Sequence, residues 1–189
     1  MIPTLREIVS ALYGAYRLAR FDPSGLDYFD QSIAGFWRSF FAAVLIAPVY
    51  LFLLMIRYSK FTEDVWLFRF LAIETIVYVI AWVTFPLAMV YLAKAFEREE
   101  FYIRFIVAYN WAGVLQNAIY LPIGILGTAG LVSLDNANAM GLVALSLILI
   151  YNGFIARTAL NVSVGAAAGL VGLDFLISVF LNAMADGVL

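Results

Sequence analysis

Long runs of apolar residues alternate with short polar stretches along almost the whole chain. A helix needs about 20 apolar residues, more if it is tilted, to cross a hydrocarbon core of about 30 Å. The runs that are long enough lie at Phe36 to Ile56, Trp66 to Ala93, Ile103 to Leu126, Ala139 to Ala156 and Val164 to Ala185. The pattern therefore predicts an all-α integral membrane bundle of five transmembrane helices.

The polar stretches between the runs predict where the helices end. "RYSKFTED" offers Thr62 as an N-cap with Glu63 and Asp64 in the first turn, and "KAFEREEF" is a charged connector. "SLDNANA" is predicted to be a short turn, and "RTALNVS" is predicted to separate the fourth and fifth helices. No internal repeat is visible in the sequence, so the paired inverted halves of many secondary transporters find no support.

Residues 1–31 precede the first run and form an amphipathic segment. In "PTLREIVSALYGAYRLARFDP", Thr4 and Glu7 have the spacing of a capping box, and Pro23 ends the predicted helix. One side of this helix is apolar and carries Leu5, Ile8, Val9, Leu12, Tyr13 and Tyr16. Either the helix lies flat on the membrane and contacts lipid, or it docks through the same residues on the polar end of the bundle. Residues 32–189 form the five-helix transmembrane domain.

Composition excludes several classes of function. The chain is 65% hydrophobic and 13% charged, whereas an average soluble domain is about 45 to 50% apolar and 25% charged. It contains no cysteine and no histidine, so it has no disulfides, no thiolate sites and no imidazole ligands for haem or zinc. A net charge of −2 without a basic run disfavours nucleic acid as a partner. We expect no enzymatic activity, no catalytic residues, no cofactor and no metal.

Lysine and arginine are distributed unevenly between the two sides of the predicted bundle. The N-terminal segment, the second loop and the fourth loop hold Arg6, Arg17, Arg20, Arg38, Lys94, Arg98, Arg104 and Arg157. The first loop holds only Arg57, Lys60 and Arg69. Because cytoplasmic loops carry the excess of basic residues, the N-terminus is predicted to be cytoplasmic and the C-terminus outside.

Three amides lie in the third predicted helix, and these are Asn110, Gln116 and Asn117. Asn110 and Asn117 share a helix face with Gly113. A small, polar face is typical of close helix packing with hydrogen bonds between helices, which is the interpretation we favour; the alternative is that the amides line a cavity. From depth alone, Asn152 is the expected partner of Asn110, and Asp174 is the expected partner of Asn117.

The fifth predicted helix has two distinct faces. Gly165, Gly169 and Gly172 form a small-residue surface that lets another helix approach closely. Asp174 and Ser178 point away from these glycines. Either this helix is central in the bundle, or one of its faces meets a partner chain.

Two acidic residues, Glu74 and Asp174, are predicted near or beyond the midplane of the bilayer. An ionised carboxylate there costs about 2.5 to 3.5 kcal/mol, and no lysine or arginine is expected at that depth. We favour neutral, hydrogen-bonded carboxyl groups, and the alternative is that these acids bind a proton or a cation.

The segments "ALYGAYRLARFDPSGL" and "AYNW", five predicted spans, short loops and an outside C-terminus resemble bacterial membrane proteins of the Yip1-domain type. The resemblance implies a bacterial cytoplasmic (inner) membrane location and a non-enzymatic membrane-organising or adaptor role. It transfers no functional residue to this chain.

Together these features predict an accessory or scaffold subunit that packs against other membrane proteins or against copies of itself. Its small-residue faces and its lack of extramembrane mass favour this function. The alternative function is a small proton- or cation-coupled transporter or channel that uses the intramembrane acids.

Overall fold

A computed structural model describes residues 2–60 and 66–188, and it is helical throughout, with no strand in the described residues. The all-α prediction is therefore confirmed. Two short 3-10 helices lie at Pro23–Tyr28 and Glu99–Phe101. The α-helices are α1 (Leu5–Ala19), α2 (Ile33–Ser39), α3 (Phe41–Tyr58), α4 (Leu67–Ala95), α5 (Tyr102–Thr128), α6 (Leu134–Leu160) and α7 (Val164–Val188). The predicted N-cap Thr62 and the first-turn acids Glu63 and Asp64 lie outside the described residues.

Four helical segments of the described chain are long and apolar enough to cross a membrane, as expected of an integral, multi-pass membrane protein. They are Ile33–Tyr58, Leu67–Ala95, Leu134–Leu160 and Val164–Ala185. The 27-residue helix α5 is not among them, because its amides lower its mean hydropathy.

Helix α5 lies at the centre of the bundle, which explains why it tolerates polar side chains. It packs against α1, α2, α3 and α6, and less extensively against α4. The first half of α5 is largely buried, from Phe105 to Ala112. A helix surrounded by other helices exposes little surface to lipid. Its amides can therefore bond to groups on neighbouring helices and do not have to face an apolar solvent.

Helix α1 is docked on α5 and α6. The predicted capping box is present, since Glu7 Oε2 accepts a 2.7 Å hydrogen bond from the Thr4 amide. The docked face consists of the small residues Ala11, Gly14 and Ala15 together with Leu18. At Gly14, an added Cβ would lie 2.7 Å from the carbonyl oxygen of Gly25, so only glycine allows the following segment to cross α1 this closely.

Only part of the apolar stripe takes part in docking, because Ile8 and Leu12 pack against the core of the bundle. Four of its six members are exposed in the structure, namely Leu5, Val9, Tyr13 and Tyr16, whereas Ile8 and Leu12 are half-buried. Docking uses the small residues on the other side of α1 because they permit a closer approach than large side chains do. The four exposed residues of the stripe therefore face away from the bundle, and their contact with lipid stays a prediction.

Helix α6 is longer at both ends than the predicted span from Ala139 to Ala156, and it ends within the predicted break "RTALNVS". "SLDNANA" is not a turn, because Ser133 Oγ caps the helix by accepting the Asn136 amide at 3.3 Å, and α6 begins at Leu134. Polar residues are common in the first turn of a helix, and for this reason the sequence pattern did not indicate that α6 begins at Leu134. At the other end, Asn161 adopts a left-handed conformation with φ of 54° and ends α6.

Candidate functional site

A cavity of about 440 Å³ lies between α3, α4, α5 and α7, and a second of about 330 Å³ adjoins it between α5, α6 and α7. The two share the side chains of Tyr109, Gln116, Asn117, Tyr120, Ser178 and Asn182. We refer to both together as the polar cavity. It exists because α7 packs against α4 and α6 and leaves space beside the polar half of α5.

Regular helical spacing brings the lining residues to one place. On α5, Tyr109, Gln116 and Tyr120 recur at intervals of seven and four residues and so share a face. On α7, Asp174, Ser178 and Asn182 recur at intervals of four and form a polar stripe. The α5 residues from 109 to 120 extend over about 16 Å along the helix axis.

Asp174 is the acidic group of the polar cavity. The Tyr109 hydroxyl donates a hydrogen bond of 2.9 Å to Asp174 Oδ1. Asp174 lies ten residues after the start of α7 at Val164, about 15 Å along the axis and thus about half the thickness of a hydrocarbon core. Within the described residues, none of the ion pairs includes Asp174.

The amides of α5 have different partners from those predicted. Gln116 Nε2 donates to Asn152 Oδ1 on α6 at 2.6 Å, so this pair joins two helices. Asn117 Nδ2 donates to the carbonyl oxygen of Gly113 in its own helix at 2.8 Å. The predicted pairing of Asn117 with Asp174 is therefore wrong, because the polar cavity separates α5 from α7 at that level.

Asn110 does join two helices, but its predicted partner Asn152 is wrong. Its Nδ2 donates to Ser39 Oγ at 2.8 Å, and its Oδ1 is buried without a hydrogen-bond partner. The first predicted span breaks at Phe40 into α2 and α3, and this break brings Ser39 against α5. The sequence prediction treated that span as one straight helix.

Glu74 is buried in the contact between α3 and α4, with a relative exposure of 2%. Arg57 Nη1 lies 3.0 Å from Glu74 Oε1, and the Tyr50 hydroxyl donates to Glu74 Oε2 at 2.9 Å. The prediction that no basic residue reaches this depth is therefore wrong. Glu74 is only seven residues into α4, and the long side chain of Arg57 extends inward from the last turn of α3.

The predicted packing glycines fall into two groups. A Cβ on Gly113 would lie 3.2 Å from the Trp82 ring, so this glycine does allow a close contact. At Gly165, Gly169 and Gly172, an added Cβ would meet nothing within 4 Å. Within the described chain, α7 buries Ala167 and Leu170 instead. The role of these three glycines as a packing surface therefore stays a prediction about a partner.

Several lining residues were not predicted, and they are Tyr50, Arg57, Tyr78, Trp82, Tyr109, Tyr120 and Asn182. For Asn182 a signal was present, since it continues the interval of four from Asp174 through Ser178. The tyrosines gave no such signal, because aromatic residues are equally common at lipid-facing positions and membrane interfaces.

Acidic groups near α1 lie outside the candidate spans and are held in their charged form. Hydrogen bonds from Ser32, together with Arg38, lower the pKa of Asp30 below its ordinary value. Hydrogen bonds from Ser24, together with Arg17, lower the pKa of Asp22. The pair of Arg17 with Asp22 joins the first 3-10 helix to α1, and Arg38 joins α2 to α1 through a second ion pair with Glu7 at 3.1 Å.

Within the described residues there is no group of three or more acidic, histidine or cysteine side chains that could hold a metal ion. In comparisons with known proteins, no family model, no curated protein and no solved structure matches the chain. The resemblance to proteins of the Yip1-domain type therefore stays a prediction. The structure itself defines a helical protein with four candidate membrane spans and a polar cavity among its helices.

Proposed function

We propose that the protein is a five-span integral membrane protein that carries a small polar or cationic solute across the bilayer through the polar cavity. The observation that carries this proposal is a carboxyl group, Asp174, in a cavity about halfway along a candidate membrane span. The fifth span is α5, whose 27 residues extend about 40 Å and are surrounded by candidate spans. We thus favour the transporter function, which the sequence suggested as the alternative to an accessory subunit.

The charge of Asp174 is the reason for its proposed role as the site that binds a proton or a cation. An ionised carboxylate at the centre of a bilayer is costly unless a proton or a cation neutralises it. Tyr109 supplies one neutral hydrogen bond, which does not neutralise the charge. A proton, or the charged part of a solute, completes the site, and its exchange between the two sides of the membrane constitutes coupled transport.

Glu74 is not a coupling residue in this proposal, although the sequence suggested it as one. Arg57 already neutralises its charge, and Tyr50 occupies its second oxygen. Glu74 is accordingly a structural residue that joins α3 to α4.

The orientation and location belong to the same proposal. The basic residues around α1 favour a cytoplasmic N-terminus and an outside C-terminus, in a bacterial inner membrane. The outward residues of α1, such as Leu5 and Val9, contact lipid at the cytoplasmic surface. Reporter fusions after Ala95, Thr128 and Leu160 test the topology, and a fusion after Thr128 that reports the cytoplasm contradicts a spanning α5.

Transport is tested with purified protein in proteoliposomes that contain a pH-sensitive dye. We expect a cation-driven or solute-driven proton flux that Asp174→Asn abolishes. Asp135→Asn is the matched control, because Asp135 is exposed in the first turn of α6 and does not line the polar cavity. Flux that is equal in Asp174→Asn and in the unaltered protein contradicts the role of Asp174.

A second candidate function is the accessory subunit predicted from the sequence. The observation that favours it is the open face of α7 at Gly165, Gly169 and Gly172. Purification in a mild detergent tests it, with a stoichiometric companion or a self-association product expected. Gly169→Leu should abolish that association, whereas Gly187→Leu, at the end of α7, should leave it intact. A monomer in both cases contradicts this function.

A further inference from the structure

Aromatic residues line both parts of the polar cavity. Tyr109, Tyr120 and Phe175 line the part that contains Asp174. Tyr50, Tyr78 and Trp82 line the adjoining part. A cation is attracted to the face of an aromatic ring within about 6 Å of its centre, and this attraction is strongest where water is excluded. The polar cavity thus combines one carboxylate with an aromatic lining, although the ring of Tyr109 itself packs on Phe85 and Phe105.

The polar cavity does not supply the set of charged oxygen ligands that a divalent metal ion needs. Asn152 Oδ1 accepts from Gln116, and Asn117 Nδ2 donates within its own helix. Hard cations such as Ca²⁺ and Mg²⁺ need six or more oxygen ligands in a compact shell. Asp174 is the one carboxylate among the residues that line the polar cavity.

An anion is disfavoured as well. Arg57 is the one basic residue among the lining residues, and it already forms an ion pair with Glu74. A bound anion would face Asp174 without a compensating charge. The volumes of about 440 and 330 Å³ are within the range of sites that hold small organic molecules.

We propose that the solute is a small organic cation, an amine or a quaternary ammonium compound, whose charged head lies beside Asp174 and Phe175 and whose apolar part follows the aromatic lining of the polar cavity. This inference rests on the proposed function and names the solute class of the same site. The carboxylate provides the charge complement, and the rings provide a surface that an ammonium head with methyl groups prefers to water.

The test compares a charged probe with a neutral molecule of the same shape. Choline and its uncharged isostere 3,3-dimethyl-1-butanol are titrated into the purified protein in nanodiscs, and binding is measured calorimetrically. We expect saturable binding of choline and at least tenfold weaker binding of the isostere. Equal binding of both probes, or no binding of choline and tetramethylammonium, overturns the inference. This comparison needs no variant and therefore does not depend on the folding of one.

Variants then assign the binding to this cavity. Asp174→Asn should weaken choline binding at least tenfold, and Phe175→Leu should weaken it several-fold. The control Asp135→Asn should bind choline as the unaltered protein does. Choline binding that is unchanged in Asp174→Asn, with the variant's melting curve intact, overturns the assignment to Asp174.

Two results separate this inference from the proposed function. Proton or inorganic-cation flux that requires Asp174, without choline binding, supports transport and overturns the organic-cation inference. Choline binding that requires Asp174, without flux of any tested ion or of labelled choline, supports the inference about the ligand and contradicts transport.

Discussion

Glu74 and Asp174, two carboxyl groups in the interior of candidate membrane spans, have opposite surroundings. Glu74 is in contact with a guanidinium and a phenol at 3.0 and 2.9 Å, and almost none of its surface is exposed. Asp174 receives one phenol hydroxyl at 2.9 Å and lines a cavity. An acid that is neutralised by a neighbouring side chain holds helices together, whereas an acid without an ion-pair partner is available to a mobile charge.

The sequence alone did not distinguish these two acids. Both interrupt apolar helices, and both were predicted at a similar depth. The difference arises from the neighbouring helix, because α3 ends in a basic residue that reaches Glu74, whereas the part of α5 beside Asp174 carries only neutral polar groups. Whether a carboxyl group in a span is neutralised therefore depends less on its depth than on which residues the neighbouring helix presents to it.

The largest effect is expected for Arg57→Met. Removing one partner of a buried ion pair leaves the other charge uncompensated and typically costs about 3 to 5 kcal/mol. Because the Arg57 side chain is 35% exposed, we expect the lower end, about 3 kcal/mol. Reversible unfolding in mixed micelles measures the loss. Lys60→Met, an exposed cation two residues beyond the end of α3, is the control and should change stability by less than about 0.5 kcal/mol.

Tyr50→Phe is expected to have the next largest effect. The hydroxyl of Tyr50 donates to a charged carboxylate, and such hydrogen bonds contribute about 1.5 to 3 kcal/mol. The phenylalanine ring preserves the stacking on Tyr78, whose ring centre lies 4.8 Å away. The same unfolding assay should therefore report a loss of about 1.5 kcal/mol. If Tyr50→Phe loses no more unfolding free energy than Tyr109→Phe does, the contrast between an ion-paired Glu74 and an Asp174 without an ion pair is contradicted.

Tyr109→Phe tests the other acid. Its hydroxyl donates to Asp174, and if that carboxyl is neutral in the resting protein, the bond is an ordinary hydrogen bond inside a membrane protein. Such bonds contribute about 0.6 kcal/mol on average. We expect a loss of about that size in the unfolding assay, together with altered flux in proteoliposomes. A loss above about 1.7 kcal/mol would indicate that Asp174 is charged at rest.

The smallest effect is expected for an acid outside the spans. The pKa of Asp30 is lowered by its folded surroundings, so its contribution to stability is present above its unfolded pKa and is lost as the pH falls through the folded pKa. Asp30→Asn should cost about 0.5 kcal/mol at pH 7, as is typical of a partly exposed ion pair. Unfolding measured from pH 7 to pH 3 should show the difference disappear at the acidic end. A constant difference would contradict this linkage.

The sequence predicted the helical class and most helix ends, because both depend on local pattern. α4 was predicted at 66–93 and is observed at Leu67–Ala95, since charged residues follow its apolar run. The start of α6 was missed, because Ser133 and the polar residues after it form a helical turn that the sequence presents as a loop. Local composition does not distinguish these two structures.

The polar cavity was beyond sequence prediction for a different reason. Its lining comes from α3 to α7, and which faces meet depends on how each helix rotates about its axis. Asn117 illustrates this, since it shares a helix face with Asn110 and yet it lines the polar cavity, whereas Asn110 is buried against α2. The break at Phe40 and the docking of α1 decide that difference, and neither has a periodic signature in the sequence.

The contact between Tyr151 and Ala15 joins residues that are 136 positions apart, and it has a consequence for biosynthesis. At about 5 to 20 residues per second, a ribosome needs roughly 7 to 28 s to proceed from the end of α1 to the end of α6. For most of this interval the docking face of α1 lacks its partners α5 and α6 and needs shelter from water. In the proposed orientation a lipid surface provides that shelter, and we therefore expect α1 to contact the membrane before it docks on the bundle.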